Sequence, residues 1–524
     1  MRGEAFLGVD IGTGSSKAVL VDPDGSVIGA RTVEHRVTHA SGGRVEMDMR
    51  LWWDEFKALF SQLIAAYPVR VLAIGVSGMG PCVGLTDHAD RPLAPAALYG
   101  VDTRSGAQIA RLRDLLGDER VLATCDSPLT SQAAGPKLMW FQDHAPEEFA
   151  AGVRLYMPAS WLIRHLTGEY VLDRHSASQC TPLLDAETLT WDNNLVRDLL
   201  PGLMLPRLGW ARDICGEVTA SVAAELPGLQ AGTPVLYGTI DAWAEQESVG
   251  AVRAGELFLM YGSTMFLIAN VPRRVRHPAM WGTAGTQLGM RHLAGGLAAS
   301  GSITSWFRDL TGGISYAQLV AEAEKSPPGA NGLLALPYFA GERSPLHDPD
   351  ARGVIAGLTT RHVRGDIYRA ILESTAFAVR HNLEAMRGAG VEINRITCAG
   401  GGTQASLWTA VVTEVTGIPQ EVHRYSVGAS YGNAFLAARA IGMCACVDEW
   451  NPVEHRIEPS CSLNSEARAA FGSLQPGEVR DAHEALVPHG SRDTRGLYEE
   501  LYGLYRDLHR TTSGLQHRLA SLQP

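Results

Sequence analysis

The sequence predicts an α/β protein built from two related halves with a cleft between them. Three observations predict it. The chain has 524 residues, more than one hydrophobic core ordinarily organises, so at least two domains are expected. Its opening segment reads strand, turn, strand, turn, strand, helix, strand. A similar order returns after Leu257. Hydrophobic residues make up 45% and charged residues 19%, the composition of a globular protein rather than a disordered one.

In the first half, Phe6–Val9 and Ala18–Val21 are apolar runs on either side of Gly12-Thr13-Gly14-Ser15. Asp22-Pro23-Asp24-Gly25 is a second turn, and Val27–Val33 supplies a third strand. A helix is expected from about Arg50, with Trp52, Phe56, Leu59, Phe60, Leu63 and Ile64 at helical spacing and Asp48 as its cap. Val69–Val76, ending in Ser77-Gly78, suits a buried parallel strand. In the second half, Leu257–Tyr261 and Met265–Ala269 flank Gly262-Ser263-Thr264, and Leu297–Ser300 reads as a further strand. Ile367, Ile371, Val379, Leu383 and Met386 mark a long amphipathic helix that Gly388 and Gly390 can end. Ile396–Ala399 is a short strand running into Gly400-Gly401-Gly402. The boundary is expected at Gly250–Gly255. That gives an N-terminal domain over 1–250, a C-terminal domain over 251–446, and a tail over 447–524 with a terminal amphipathic helix at Leu497–Leu508.

Lys and Arg number 45 against 56 Asp and Glu, a net charge of −11, which argues against nucleic-acid binding because a phosphate backbone needs a basic footprint. The most apolar stretch, Leu257–Val271, is shorter than the roughly 20 residues of a membrane helix. The start of the chain lacks the ordered charge, apolar run and cleavage site of a secretory leader. The eight cysteines are scattered, as expected for reduced thiols in a cytoplasmic protein. Cys444 and Cys446 alone do not make a zinc site.

Five motifs carry chemistry. The first is Asp10-Ile11-Gly12-Thr13-Gly14-Ser15-Ser16-Lys17. Gly12 and Gly14 let backbone approach a phosphate, Thr13, Ser15 and Ser16 add hydroxyls, Lys17 adds charge, and Asp10 can hold Mg²⁺. The spacing is not that of a Walker A loop. The strand-like Ala18–Val21 stands where a dinucleotide fold needs a helix. A plain glycine hairpin is the alternative. The second is Asp241 after Gly238-Thr239-Ile240, at a strand end, where a carboxylate can accept the proton of an attacking hydroxyl; a helix cap is the alternative. The third is Gly262-Ser263-Thr264, a tight turn able to present N–H and hydroxyl donors to a γ-phosphate, or else only a hairpin turn. The fourth is Gly400-Gly401-Gly402 with Gln404, where backbone can lie against a flat base or ribose, or else a mobile loop. The fifth is Tyr99-Gly100-Val101-Asp102-Thr103-Arg104, in which Asp102 and Arg104 can bond sugar hydroxyls or pair as a surface salt bridge.

The order of these motifs is more specific than any one of them. With Leu166-Thr167-Gly168-Glu169, Asp173, Ser176-Ala177-Ser178 and the stretch Gly341–Gly357, the sequence resembles the FGGY family of carbohydrate kinases from about Leu7 to Gly442. The resemblance implies two ribonuclease-H-like domains, of the actin, hexokinase and Hsp70 superfamily, closing on ATP, Mg²⁺ and a sugar, and a homodimer. Carried over by motif, Asp10 and Asp241 become metal-associated and Asp241 the catalytic base. Gly12–Lys17 and Gly262–Thr264 hold phosphates, while Gly400–Gly402 and Gln404 hold adenosine. Met79, Gly80, Asp102, Arg104 and Asp241 face the sugar. Gly341–Leu358 and Ser77-Gly78-Met79 resemble the xylulokinase-like branch, which makes a ketopentose such as D-xylulose, phosphorylated to its 5-phosphate, the first expected substrate. Two departures fall on the sugar side. Gly78-Met79-Gly80-Pro81 stands where many xylulokinases have Gln-Met-His-Gly, and Tyr99–Arg104 stands where they often have Trp-Asn-Asp-Gly-Arg. Erythritol, gluconate or another ketose are therefore alternative substrates, and a non-enzymatic sensor on the same fold is the alternative outside catalysis.

Overall fold

The computed structural model describes residues 3–460 and 494–523. The first half opens with β1 (Glu4–Ile11), β2 (Ser15–Val21), β3 (Val27–Glu34), α1 (Met49–Ala66) and β4 (Arg70–Gly78). After a long insertion the chain returns through β5 (Ile214–Glu217), β6 (Pro234–Leu236), β7 (Thr239–Ile240) and α2 (Asp241–Ser248). These strands form one sheet in the order β5-β6-β4-β1-β2-β3, with β7 also on β4. The second half supplies β8 (Glu256–Tyr261), β9 (Met265–Val271), β10 (Trp281–Ala284), β11 (Arg291–Leu297), α3 (Gly301–Leu310), α4 (Arg364–Gly388), β12 (Arg395–Ala399), α5 (Ser406–Thr416), β13 (Gln420–His423), α6 (Ala429–Ala440) and β14 (Val453–Ile457). Its sheet runs β10-β11-β9-β8-β12-β13-β14.

The two sheets share one plan. β1 is antiparallel to β2 and parallel to β4, as β8 is antiparallel to β9 and parallel to β12. In both, a hairpin turn and the end of a parallel strand therefore lie side by side at one sheet edge. The expected elements that build this plan form. The Asp48 carboxylate caps α1 by accepting the Arg50 N–H at 3.0 Å, and Trp52, Phe56, Leu59, Phe60 and Leu63 bury its inner face. α4 ends at Gly388. One expectation is corrected. The strand foreseen at Leu297–Ser300 is β11, which ends at Leu297, and Ser300 instead precedes α3. Glycines 295 and 296 masked it. Gly296 lies flat on β9, where a Cβ would meet the Met265 carbonyl at 2.5 Å.

A separate cluster around Leu138, Leu155 and Leu183 forms the core of the insertion between β4 and β5. The insertion meets the second half through the Asp126–Arg274 ion pair at 2.7 Å. From the tail, β14 extends the second sheet. The helix foreseen at Leu497–Leu508 is the longer α7 (Thr494–Ala520), which buries Tyr498, Leu501, Tyr502 and Tyr505 against α4. Among the described residues no helix is long and apolar enough to cross a membrane.

The halves are joined by α6. This second-half helix packs on β1 and β4 of the first sheet and on α2. Its Ala434, Phe435 and Leu436 pack with Phe6, Val19, Ala73 and Leu236, and at three points backbone meets backbone. A Cβ on Gly8 would lie 1.9 Å from the Ser430 carbonyl, one on Gly75 2.1 Å from the Asn433 carbonyl, and one on Gly432 1.8 Å from the Ala244 carbonyl. Gly8 and Gly75 are register partners on adjacent strands, so together they make the shallow seat on which α6 rests.

Candidate functional site

The ends of β1, β4 and β7 lie in register, Asp10 opposite Ser77 and Ser77 opposite Thr239. This brings Asp10 and Asp241, 231 residues apart, to one edge. Ser77 Oγ donates to Asp10 Oδ1 at 2.7 Å, and Asn433 Nδ2 of α6 donates to Ser77 Oγ at 2.7 Å and to the Val9 carbonyl at 2.8 Å. The orientation of Asp10 thus depends on the same helix that joins the halves. Asp241 is the first residue of α2, and its Oδ1 accepts the Ala242 N–H at 2.7 Å. The N-cap is Ile240 and no side chain caps the helix, so the cap alternative is not met, and among the described residues the second carboxylate oxygen makes no hydrogen bond.

Asp10, Asp241, Lys17 and Glu245 line a cavity of about 230 Å³ closed on the other side by Val427–Ser430. Glu245 was not foreseen. It lies one turn beyond Asp241 on the same face of α2, and that i, i+4 spacing was the signal available. Burial, then repulsion by Asp241, raises Glu245 to about 7. Burial, then repulsion from Asp241, raises Asp10 as well, and burial raises Asp241. Lys17 is lowered by burial despite Asp10 and Glu245, and its Nζ donates to the Val427 carbonyl at 2.7 Å. Asp10 and Glu245 thus act on one lysine, and Asp241 acts on both of those carboxylates. Carboxylates are hard oxygen donors of the kind Mg²⁺ takes, although among the described residues no three His, Cys, Asp or Glu side chains stand close enough to form a metal-holding group.

A stability prediction follows. All three carboxylates have folded-state pKa values above their unfolded ones, so the folded state binds more protons between about pH 4 and pH 7. Their contribution is most favourable below that window and is lost as pH rises through the folded values. Mg²⁺ should therefore raise the melting temperature clearly at pH 8 and little at pH 5. Equal stabilisation at both would contradict the reading of this cluster.

The expected phosphate loop is the turn between β1 and β2. Among the described residues, the N–H groups of Thr13 and Gly14 have no protein partner. Ser16 is corrected: its hydroxyl is buried and donates to Glu55, because alternation along β2 turns it inward. The turn Gly262-Ser263-Thr264 directs the carbonyls of Gly262 and Ser263 onto Gly301, Ser300 and Ser302 at the start of α3, leaving the Ser263 and Thr264 N–H groups without partners among the described residues. Gly400 lies against this turn, where a Cβ would meet the Tyr261 carbonyl at 2.5 Å. Gly401 is open, Gly402 packs beside Trp408, and Gln404 is exposed. This third loop adjoins the second turn but not the carboxylate cavity.

On the sugar side three calls are corrected. Asp102 and Arg104 are both buried and pair at 2.7 Å; Asp102 also accepts the Val45 N–H, and Arg104 bonds Glu46 and stacks over Trp140. They form an internal brace rather than a hydroxyl-binding surface. The Met79 side chain sits in the hydrophobic core of the first half, because its N–H donates to the Ile11 carbonyl and turns it inward. Gly80 presents only backbone, its carbonyl accepting from Gln132 Nε2 at 3.3 Å. The cavity nearby, of about 290 Å³, is lined instead by Tyr99, Gln132, Trp281, Glu342 and Arg343 among others. The Trp281 indole N–H and Glu342 Oε2 are buried there without partners, and burial pushes Glu342 up to about 8. Thr13 Oγ1 donates to the Tyr99 hydroxyl at 3.2 Å, tying this cavity to the phosphate loop. Trp281 carried no motif, and Glu342 was visible only as part of the stretch Gly341–Gly357 that carries the family resemblance.

Comparison with known proteins accords with this layout. Family models for the N-terminal and C-terminal domains of the FGGY family of carbohydrate kinases match residues 5–245 and 257–441. The xylulose kinase of Escherichia coli (strain K12) is 27% identical over 514 residues, covering 95% of this chain and 99% of that protein. A glycerol kinase of Nocardia farcinica is 29% identical over 467 residues, covering 84% and 91%. Among solved structures, the xylulose kinase from Rhodospirillum rubrum superposes with a TM-score of 0.84 at 28% identity, over 98% of this chain and 100% of that one. The chain belongs to the FGGY family and has its two-domain, actin- and hexokinase-like fold.

Proposed function

We propose that this FGGY kinase transfers the γ-phosphoryl group of ATP to a terminal primary hydroxyl of a small ketose, D-xylulose first, with Asp241 as the base. The observation that carries the reading is the position of Asp241. Its second carboxylate oxygen, without a partner among the described residues, stands at the joint of the halves, in electrostatic reach of Tyr99 on the neighbouring cavity and of Asp10 on the phosphate side. A carboxylate there accepts the hydroxyl proton as the sugar oxygen attacks phosphorus. Lys17 and the free N–H groups of Thr13, Gly14, Ser263 and Thr264 face the developing negative charge, a role fixed donors perform without reorganisation. Asp10 and Asp241 would hold Mg²⁺, which would supply positive charge to the phosphate oxygens. The Gly400 loop, beside the second phosphate turn, takes the adenosine end.

Within this reading the sugar's distal hydroxyls meet Trp281, Gln132 and Glu342. Burial favours the protonated form of Glu342, and a protonated carboxyl both donates and accepts. The relatives named xylulose kinase support the ketopentose, while those named glycerol kinase make a shorter polyol the second reading. The test is coupled ADP release over pentuloses, hexuloses, polyols and sugar acids. D-Xylulose should give the highest kcat/KM, and a clear preference for erythritol, glycerol or gluconate would overturn the substrate while keeping the kinase.

A further inference from the structure

The phosphate loop is held from beneath by residues that no motif includes. His35, one residue past β3, donates its backbone N–H to the Gly14 carbonyl at 3.1 Å. Its ring Nε2 is 3.0 Å from the Gly12 carbonyl, and its Nδ1 is 3.0 Å from both carboxylate oxygens of Glu55 on α1. Glu55 is buried and also accepts the Ser16 hydroxyl. Gly12, Gly14 and Ser16 thus all lead to one His35–Glu55 pair. A carbonyl and a carboxylate only accept hydrogen bonds, so both ring nitrogens must carry protons for both bonds to form.

We propose that the His35–Glu55 pair is a positioning device for ATP, in which the doubly protonated His35 ring fixes the backbone of Gly12–Ser16 so that the Thr13 and Gly14 N–H groups face the triphosphate. The inference rests on the reading of Gly12–Lys17 as a phosphate loop. Neither residue touches substrate, and both act through the loop backbone. The charged group facing the ring is Glu55 from α1; from the β1–β2 turn it meets the carbonyls of Gly12 and Thr13. Burial alone would lower the imidazole, but Glu55 and those carbonyls outweigh it and hold it above its ordinary value. The ring's bonds are therefore complete below the folded-state pKa. As pH rises through that value one ring proton is lost, and with it the tie to Gly12 or to Glu55. ATP binding should weaken there.

His35→Gln tests this, since glutamine reaches only one of the two acceptors. The KM for ATP should rise about tenfold, the scale of one charge-assisted hydrogen bond, with kcat within about twofold. The alkaline rise in the wild-type KM for ATP assigned to His35 should disappear. Glu55→Gln keeps an acceptor for Ser16 but removes the charge, so the alkaline break should move to lower pH. Gly14→Val separates the two levels of the argument. Nothing lies within 4 Å of a Cβ at Gly14, so the side chain fits the fold but projects where phosphate would lie. If Gly14→Val leaves the KM for ATP unchanged, the loop reading fails and the pair's role with it. If Gly14→Val raises that KM while His35→Gln does not, or if the break stays in place in both His35→Gln and Glu55→Gln, the loop stands and the positioning role is overturned.

Discussion

Asp241→Asn is expected to lower kcat by about 10²–10⁴, the usual cost of losing general-base catalysis, while the KM for sugar changes little. The amide matches the carboxylate in size. Its oxygen can still accept the Ala242 N–H that Asp241 Oδ1 accepts at 2.7 Å and can still accept a bond from a sugar hydroxyl, but it cannot take the proton. The variant should also be at least as stable as the parent at pH 8. It removes one charge from a cluster in which Asp10 is raised by the Asp241 charge and Glu245 likewise. A stable variant with a crippled chemical step separates a catalytic carboxylate from a helix cap, since loss of a cap typically costs about 0.5–2 kcal/mol of stability and leaves the rate alone. Turnover within about threefold of the parent, when chemistry is rate-limiting, lies far inside the usual loss and would retire Asp241 as the base.

Gly8→Ala carries the largest expected structural effect. The added carbon would lie 1.9 Å from the Ser430 carbonyl and 2.7 Å from the Ala434 nitrogen, both backbone atoms of α6 with no rotamer to give way. Overpacking of this kind costs about 1–3 kcal/mol, occasionally more, so the melting temperature should fall by several degrees. Activity should fall with it, because lifting α6 withdraws Asn433 from Ser77 and so frees Asp10. Gly401→Ala is the control. It stands on an open loop with nothing near its Cβ and should leave the melting temperature unchanged. A Gly8→Ala protein as stable as the parent would show that α6 does not bear on the sheet as described.

The framework of both halves was legible because it rests on local signals. Apolar runs separated by turn formers gave the β1–β2 and β8–β9 hairpins, and helical spacing gave α1 and α4. Asp10 and Asp241 were legible as residues because each follows a short apolar run, Phe6–Val9 in the one case and Pro234–Tyr237 with Ile240 in the other. What the sequence could not display was which polar side chains face the cavity. Asp102 and Arg104 have the right chemistry for sugar, but the Val45 N–H, Glu46 and Trp140, far away in sequence, draw them into the interior. Ser16 is spent on Glu55 for the same kind of reason. Conversely, Trp281, Glu342 and Gln132 acquire their meaning only when the insertion and the second half meet. α6 escaped notice because it is buried on nearly every side, so its apolar residues show no one-faced helical periodicity. Gly8, Gly75 and Gly432 contribute no apolar side chain to any periodic pattern, yet they permit the close approach of backbone to backbone there.

The central claim is that phosphate leaves ATP for a sugar hydroxyl rather than for water. Phosphorus NMR of the products tests it directly, with protein, MgATP and D-xylulose in one arm and protein with MgATP alone in the other. The account predicts that a phosphate monoester coupled to a CH₂ group appears in step with ADP in the first arm, with little ADP in the second. Inorganic phosphate accumulating at the same rate in both arms, with no monoester formed from D-xylulose or from any other sugar or polyol, would contradict it.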